Sequence, residues 1–320
     1  MGRGRRPLPS SFKNQTITTT RRNKMKKVLL ALLSIALAFT ALAPAQAEDQ
    51  KVLAIIDSAI DSTKFNSIVH EVCFTTVKSS DPSQNMSCPN GELFMEGSGA
   101  ASAPWPTLAT DKMWLNNKTF HGYAMVKAAL TVNPNLKIVF IRFNDVTSLG
   151  NSRGDVKALA LAFDWVSKNA SKYSIDALSV SQSTVSAENL ALCTSDKVTI
   201  NAIASLTANN VPVFVATGND QRKDVVGFPS CVNGAIGVGA LGNATQLEGL
   251  TNRGPGLDMV APGKFKITKY NGSKTDTAGS SAATAVSAAS YVSRNTFKTF
   301  GEYLTSLPKI LIGTASYIRN

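Results

Sequence analysis

The sequence is short of the residue types from which closed metal sites are built. It has only two histidines, His70 and His121, and its four cysteines contain no CxxC pair. Structural zinc sites use closely spaced Cys and His ligands, so a closed zinc site is not expected and no metal ligand is predicted. No acidic cluster has the spacing that would specify a calcium loop.

Acidic residues are missing from the first 47 positions, which hold nine of the 33 Lys and Arg residues. Most of the formal charge of +12 therefore comes from this segment, because the remaining residues hold 24 basic and 21 acidic side chains, a net charge of +3. A nearly balanced folded region does not provide the basic groove that nucleic-acid binding requires. No nucleic-acid partner is expected.

The apolar run from Val28 to Leu42 is short for a helix that crosses a bilayer. It follows Lys26 and Lys27 and precedes Ala45-Gln46-Ala47, the order of a signal peptide with a small-x-small cleavage site. We predict an unstructured upstream extension at 1–24, a signal peptide at 25–47 cleaved after Ala47, and a secreted or periplasmic protein. The alternative is an uncleaved membrane anchor; with cleavage, no stable membrane association is expected.

Export gives the even number of cysteines a meaning, because disulfides form in oxidising compartments. Four cysteines allow three pairings. We predict that Cys73 pairs with Cys88 and Cys193 with Cys231, since each bridge then closes a loop within one half of the chain.

Linkers, internal repeats and low-complexity tracts are missing from residues 48–320, which we therefore predict to be one domain. Apolar runs typical of strands buried on both faces of a parallel sheet occur at Lys51–Ile56, Lys137–Phe143, Ile175–Val180, Val211–Thr217 and Ala235–Leu241. Helical spacing of apolar residues occurs at His121–Thr131, Asp155–Lys168 and Asp196–Ala208. This alternation predicts an α/β fold with three layers, a mostly parallel sheet with helices on both faces. The Ser-, Pro-, Asn- and Gly-rich stretch Ser79–Asn117 is predicted to be an insertion or a long surface loop.

Four polar residues fall at the edge of the sheet where the carboxyl ends of the strands meet, which is where such folds bind ligands. Asp57 ends the first strand, His121 opens a helix, Asn219 follows the fourth strand and Ser281 begins a late small-residue helix. Acyl transfer needs this set: a serine nucleophile, an imidazole base, a carboxylate that orients the imidazole, and a donor for the oxyanion.

Each residue also has a simpler interpretation. Asp57 could cap a turn, Asn219 could favour a left-handed turn, and Ser280 or Ser281 could be the N-cap of the late helix. His70 lies in a strand-like stretch, where a histidine packs or faces solvent. The joint occurrence of all four groups favours the catalytic interpretation.

The sequence blocks around these residues resemble those of the subtilisin-like serine proteases, the subtilase family. In chain order they are AIIDSAID, HGYAMVKAAL, SVSQS at Ser179–Ser183, VPVFVATGND, VAPG and AGSSAATA, within a resemblance that covers Val52 to about Phe297. The chain departs from the family pattern at Tyr123 and Ala124 after Gly122, and at Ala285 in place of a proline. These departures bear on rate and loop geometry, since they remove no reacting group.

The resemblance implies a subtilisin-like fold and a serine endopeptidase that cuts polypeptides through an acyl-enzyme. Ser281 would be the nucleophile, His121 the general base, Asp57 the residue that orients it, and Asn219 an oxyanion donor. The resemblance also implies a substrate-binding site with two sides. One side is formed by Ser179, Val180 and Ser181, and the other by Ala216, Thr217 and Gly218. Related chains often carry cysteines at comparable places, which favours the bridge between Cys193 and Cys231.

Only nine residues separate the predicted cleavage site from Asp57, so the propeptide common in the family has no room. We expect a compact monomer that requires no cofactor; calcium, which relatives often bind, cannot be predicted from the sequence. The alternative function is a catalytically inactive secreted binding or structural protein on the same scaffold, and a third class is an esterase.

Overall fold

The computed structural model describes residues 50–78, 87–102, 120–146, 152–243, 246–268, 273–294, 297, 299–307, 309–312 and 315–319. The predicted upstream extension and signal peptide lie outside these residues, as do 79–86 and 103–117 of the predicted loop. Among the helices of the described ranges, none is both long and apolar enough to cross a membrane.

Strands of the described residues form one large sheet and two small hairpins. They are β1 (Val52–Asp57), β2 (Ile68–Phe74), β3 (Phe94–Glu96), β4 (Lys137–Arg142), β5 (Asn144–Val146), β6 (Ser152–Gly154), β7 (Ile175–Val180), β8 (Val213–Ala216), β9 (Ala235–Leu241), β10 (Met259–Pro262), β11 (Phe265–Thr268), β12 (Lys274–Thr277), β13 (Lys309–Ile312) and β14 (Ala315–Arg319). The large sheet has the order β13-β14-β10-β9-β8-β7-β1-β4-β2-β3. Its neighbours from β14 to β2 pair in parallel, while β13 and β3 are antiparallel edges.

Helices cover both faces of this sheet. They are α1 (Phe120–Val132), α2 (Val156–Asn169), α3 (Ala187–Ser195), α4 (Lys197–Ala208), α5 (Ser280–Ser293) and α6 (Phe300–Ser306). Helices α2 and α4 pack on one face of the sheet, and α1, α5 and α6 pack on the other. Asp155 and Asp196 start α2 and α4 by accepting hydrogen bonds from backbone N–H groups of the first turn. The predicted three-layer α/β fold is confirmed.

Helix α5 is built from small residues because it lies between α1 and the middle of the sheet. Five of its alanines, at positions 282, 283, 285, 288 and 289, have no exposed surface. The helix contacts α1 and the five strands β1, β7, β8, β9 and β10. Larger side chains on its buried face would push these layers apart, since protein interiors are close-packed.

Within the predicted loop Ser79–Asn117, the described part does more than cover the surface. Residues 94–96 form β3, which pairs with β2 at the edge of the sheet. Cys88, Ala100 and Ala101 are fully buried beside it. The alternative of a surface loop is corrected at β3 and at these three buried residues, because short strands without alternating apolar residues leave little trace in a polar sequence. The alternative of an insertion stays a prediction.

Both predicted disulfides are present in the structure. Cys73 of β2 is bonded to Cys88, and Cys193 of α3 is bonded to Cys231. The first bridge ties the segment before β3 to the sheet, and the second ties α3 to the loop that precedes β9.

Candidate active site

Asp57 places a carboxylate at the carboxyl end of a central strand. Strand β1 is buried along its whole length between β4 and β7. The Asp57 Oδ1 atom accepts a hydrogen bond from the backbone N–H of Ser58 at 2.6 Å, and His121 Nδ1 lies 2.8 Å from the same oxygen. The side chain of Asp57 has no exposed surface, so the carboxylate acts on its surroundings without competition from water.

His121 is held against Asp57 by the glycine that follows it. The N–H of Gly122 donates to Ser58 Oγ at 3.0 Å. A Cβ atom at position 122 would lie 2.6 Å from the Ser58 carbonyl oxygen and 2.9 Å from the Phe140 ring. Only glycine therefore allows the start of α1 to approach β1 this closely, and the approach brings the imidazole to the carboxylate.

The surroundings of His121 change its basicity. Burial alone would lower the pKa of the imidazole, but the negative charge of Asp57 and its hydrogen bond raise the pKa above the ordinary value of 6.5. About a third of the side chain, 34%, stays exposed to the cavity side. The imidazole is thus oriented by Asp57 and accessible to a reacting group.

Asn219 is oriented by the start of α5. Its Oδ1 atom accepts from the backbone N–H of Ser280 at 2.9 Å and from Ser280 Oγ at 3.1 Å. Ser280 Oγ in turn accepts from the N–H of Gly218 at 3.2 Å. These contacts hold the carbonyl end of the Asn219 amide, and Asn219 lines the same cavity as Ser281.

Ser281 lies in the first turn of α5 and is not a helix cap. The N-cap is Gly279, whose φ of 112° favours glycine and which makes no side-chain capping bond. The simpler interpretation of Ser280 or Ser281 as the cap is therefore wrong. Ser281 Oγ donates to the carbonyl oxygen of Ser181 at 3.1 Å, while Ser181 Oγ donates to the carbonyl oxygen of Ser281 at 2.9 Å.

One cavity of about 450 Å³ joins these groups. His121, Asn219 and Ser281 line it, together with Ser181 and Ala216. The structure therefore brings together the four side chains that the sequence indicated, although their positions at residues 57, 121, 219 and 281 are far apart in the chain. An imidazole, a hydroxyl at a helix start and an amide donor around one cavity provide the components of acyl transfer.

The predicted substrate-binding residues are only partly at this cavity. Ser179 and Val180 are fully buried in β7, and their main chains pair with both β1 and β8. A strand with two partners cannot take a third along its paired length, so Ser179 and Val180 are not placed to bind substrate as predicted. The main chain beyond β7 begins at Ser181, whose carbonyl oxygen accepts from Ser281 Oγ, and Gln182 and Ser183 also line the cavity.

Thr217 was also predicted to bind substrate, but it does not line the cavity. It is fully buried, and its N–H and hydroxyl groups both donate to the carbonyl oxygen of Val238. Ala216 and Gly218, on either side of it, do line the cavity. Ser58 and Asp220 also line the cavity and were not predicted. They directly follow Asp57 and Asn219, and this proximity was the available signal in the sequence.

Within the part of the chain that the structure describes, no group of three or more His, Cys, Asp or Glu side chains is placed to hold a metal ion.

The model of the subtilase family of peptidases (peptidase family S8) matches residues 113–299, which is more than half of the chain. The chain belongs to the subtilase family of serine proteases. It is 31% identical over 127 residues to an extracellular serine proteinase of a Thermus species, which covers 40% of this chain and 28% of the relative. It is 26% identical over 188 residues to a cuticle-degrading serine protease of Orbilia oligospora, which covers 58% of this chain and 41% of the relative.

An intracellular serine protease of Paenibacillus polymyxa is 34% identical over 88 residues, or 26% of this chain and 27% of the relative. The chain thus matches less than half the length of each of these relatives.

Among solved structures, a lanthipeptide protease has a TM-score of 0.53 and 16% identity over 76% of this chain and 72% of its own. Proteases from Pseudoalteromonas arctica have a TM-score of 0.54 and 21% identity over 75% of both chains. At these identities the likeness concerns the fold.

Proposed function

We propose that this protein is a secreted serine endopeptidase that hydrolyses polypeptides through an acyl-enzyme formed on Ser281. The observation that carries the proposal is the 2.8 Å contact between Asp57 and His121, at a cavity that Ser281 and Asn219 also line. Membership of the subtilase family supports serine chemistry at this site.

In the proposed mechanism, substrate binding releases the nucleophile. Ser281 Oγ is bonded to the carbonyl oxygen of Ser181, the first main-chain group beyond β7. An extended polypeptide that adds to Ser181–Ser183 as a strand would use this carbonyl as an acceptor. Rotation about the Cα–Cβ bond of Ser281 then turns its hydroxyl towards His121, which accepts the proton as Oγ attacks the substrate carbonyl.

The negative charge that develops on the carbonyl oxygen is met by fixed donors. The Asn219 NH₂ group and the backbone N–H of Ser281 are oriented before substrate arrives, because Ser280 holds the Asn219 amide and α5 holds Ser281. Loss of one such donor costs about a hundred- to a thousandfold in turnover, a magnitude known from this same family. His121 then returns its proton to the leaving amine, and water completes the cycle.

Export is part of the proposal and rests on two observations. The segment 25–47 has the pattern of a signal peptide, and two disulfides join all four cysteines. Structural disulfides persist in oxidising compartments outside the cytosol. The catalytic role of the described residues requires no cofactor, and a monomer suffices because every proposed group comes from one chain.

A serine-directed phosphonylating probe tests the proposal. We expect it to label the full-length protein at Ser281, and we expect Ser281→Ala to abolish both labelling and peptide cleavage. Ser293→Ala is a matched control, since Ser293 ends the same helix and bonds only the Ala289 carbonyl oxygen within the described residues. A folded protein that is labelled at no serine would instead be an inactive relative, and one that cleaves esters but no peptide would be an esterase.

A further inference from the structure

Ser183 is held firmly at the side of the cavity by its neighbour in the chain. Thr184 N–H donates to the Phe228 carbonyl oxygen at 3.0 Å, and Phe228 N–H donates to the Thr184 carbonyl oxygen at 2.9 Å. These two bonds place Ser183 directly against Gly227. Its position therefore depends on paired main chain, in the manner of a strand, rather than on a loose loop.

The hydroxyl of Ser183 occupies the space above two glycines. A Cβ atom at Gly227 would lie 2.0 Å from Ser183 Oγ, and a Cβ atom at Gly218 would lie 2.8 Å from the same oxygen. The oxygen thus fills the volume that the two missing side chains leave open. A side chain at either glycine would force the Ser183 hydroxyl to move, since Cβ atoms essentially never show contacts under 3.0 Å.

This hydroxyl is also buried without a hydrogen-bond partner among the described residues. A buried polar group without a partner costs free energy unless a ligand or water supplies one. Ser183 lines the same cavity as Ser281 and Asn219. Ser183 therefore contributes a buried, unpaired hydroxyl to the wall of this cavity.

In the proposed mechanism, the cavity would receive one particular substrate side chain. When Ser281 attacks a carbonyl and Asn219 faces its oxygen, the side chain of the same residue would project between Ser181–Ser183 and Ala216–Gly218, whose residues Ser181, Ser183, Ala216 and Gly218 line the cavity. Ser183 Oγ belongs to the first of these walls and lies next to Gly218 of the second. The depth available to that side chain is limited by the hydroxyl.

We propose that Ser183 closes the floor of this pocket, so that the protein cuts after small residues, namely alanine and serine, and discriminates against large apolar ones. The inference rests on the proposed peptidase function. A hydroxyl on the substrate residue would give Ser183 Oγ its missing partner. We therefore expect kcat/KM for cleavage after serine to be at least as high as for cleavage after alanine. Single-methylene differences in such pockets change specificity by about 10- to 200-fold.

Asp220 offers a rival preference for lysine or arginine, because its carboxylate lines the same cavity. Its Oδ2 atom, however, accepts from Asn252 Nδ2 at 2.9 Å, and its N–H donates to Asn252 Oδ1 at 2.9 Å. Asn252 thus directs the carboxylate towards itself. For this reason we assign the pocket to small side chains. The test below includes a peptide with lysine before the cut bond, which would reveal a preference for basic residues.

The experiment uses the full-length protein and peptides that differ only in the residue before the cut bond, which is Ala, Ser, Leu, Phe or Lys. We expect kcat/KM to be at least about tenfold higher for Ala and Ser than for the other three. Ser183→Gly should raise kcat/KM for Leu and Phe by about tenfold or more relative to kcat/KM for Ala. Ser183→Ala keeps the Cβ atom and should lose only the advantage of Ser. Ser205→Ala, exposed on α4, is the control and should leave the profile unchanged.

Labelling of Ser281 by the phosphonylating probe separates the two proposals. If the protein is labelled and cleaves peptides but prefers Leu, Phe or Lys, the role of Ser183 is refuted while the peptidase function stands. The same holds if Ser183→Gly does not broaden the profile. A protein that is neither labelled nor able to cleave any of the peptides overturns both proposals.

Discussion

At the scale of single residues, the pair of Asp57 and His121 sets the pH dependence of the site. Asp57 raises the pKa of His121 through its charge and its hydrogen bond, against the lowering by burial. A histidine is a base only when neutral, so the activity should fall as pH drops through this raised pKa. The acid limb therefore lies above that of an ordinary histidine.

Asp57→Asn removes the charge and keeps the size of the side chain. Without this charge, the effect of burial on the His121 pKa dominates. We therefore expect the pKa of His121 to fall and the acid limb of phosphonylation at Ser281 to move to lower pH. Turnover should also fall by about ten-thousandfold, because an amide can favour the wrong imidazole tautomer. Rate profiles between pH 5 and 9 compare the two proteins; an unmoved acid limb would contradict the assignment of Asp57.

At the scale of elements, the edge strand β3 is held by a polar cluster around Glu96. His70 Nε2 lies 3.0 Å from Glu96 Oε1, and Tyr173 donates to the same oxygen at 2.8 Å. Trp165 of α2 donates to Glu96 Oε2 at 3.4 Å, and Lys172 lies 3.9 Å from Glu96 Oε1. His70, which the sequence analysis expected to pack or face solvent, packs on the Tyr173 ring at 4.2 Å between centroids.

This cluster predicts an acid-dependent loss of stability. Burial alone would raise the pKa of Glu96, but hydrogen bonds from Tyr173, His70 and Trp165 lower it below 4.5. A lowered carboxyl pKa stabilises the fold fully above the unfolded value and loses its effect as pH falls through the folded value. We expect Glu96→Gln to lower the free energy of unfolding by roughly 1 kcal/mol at pH 7, with a smaller difference below pH 4.5. Urea unfolding at both pH values measures this, and an equal difference at both would exclude the carboxylate as the cause.

How far elements could be predicted depended on their burial. Strands β7 and β9 match the predicted bounds, because an unbroken apolar run of this length is typical of a strand buried on both faces of a sheet. The hairpins β11–β12 and β13–β14 were not predicted, since strands of four or five residues are too short to show a clear periodic pattern. The positions of Asp57, His121, Asn219 and Ser281 followed from sequence blocks; the pairing that buries Ser179 and Val180 depends on which strands are neighbours, and that is a tertiary property.

At the scale of the whole molecule, the two disulfides should contribute unequally to stability. Cys73 and Cys88 are separated by 15 residues, whereas Cys193 and Cys231 are separated by 38. A longer closed loop removes more entropy from the unfolded chain, so loss of the bridges should cost about 3 and about 4 kcal/mol, respectively. Urea midpoints of Cys73→Ala/Cys88→Ala and Cys193→Ala/Cys231→Ala proteins test this order. A larger loss for the shorter loop would show that native contacts, rather than loop length, dominate.

The position of helix α5 in the chain also has a consequence for the order of synthesis. Strands β1 and β7 to β10 are all made before the helix that covers them, and that helix brings the proposed nucleophile. A growing chain that has reached only Pro262 therefore has one face of its sheet without this cover and has no Ser281. A chain at this stage cannot act as the proposed peptidase, because the helix that completes the cover of the sheet's centre also carries the proposed nucleophile.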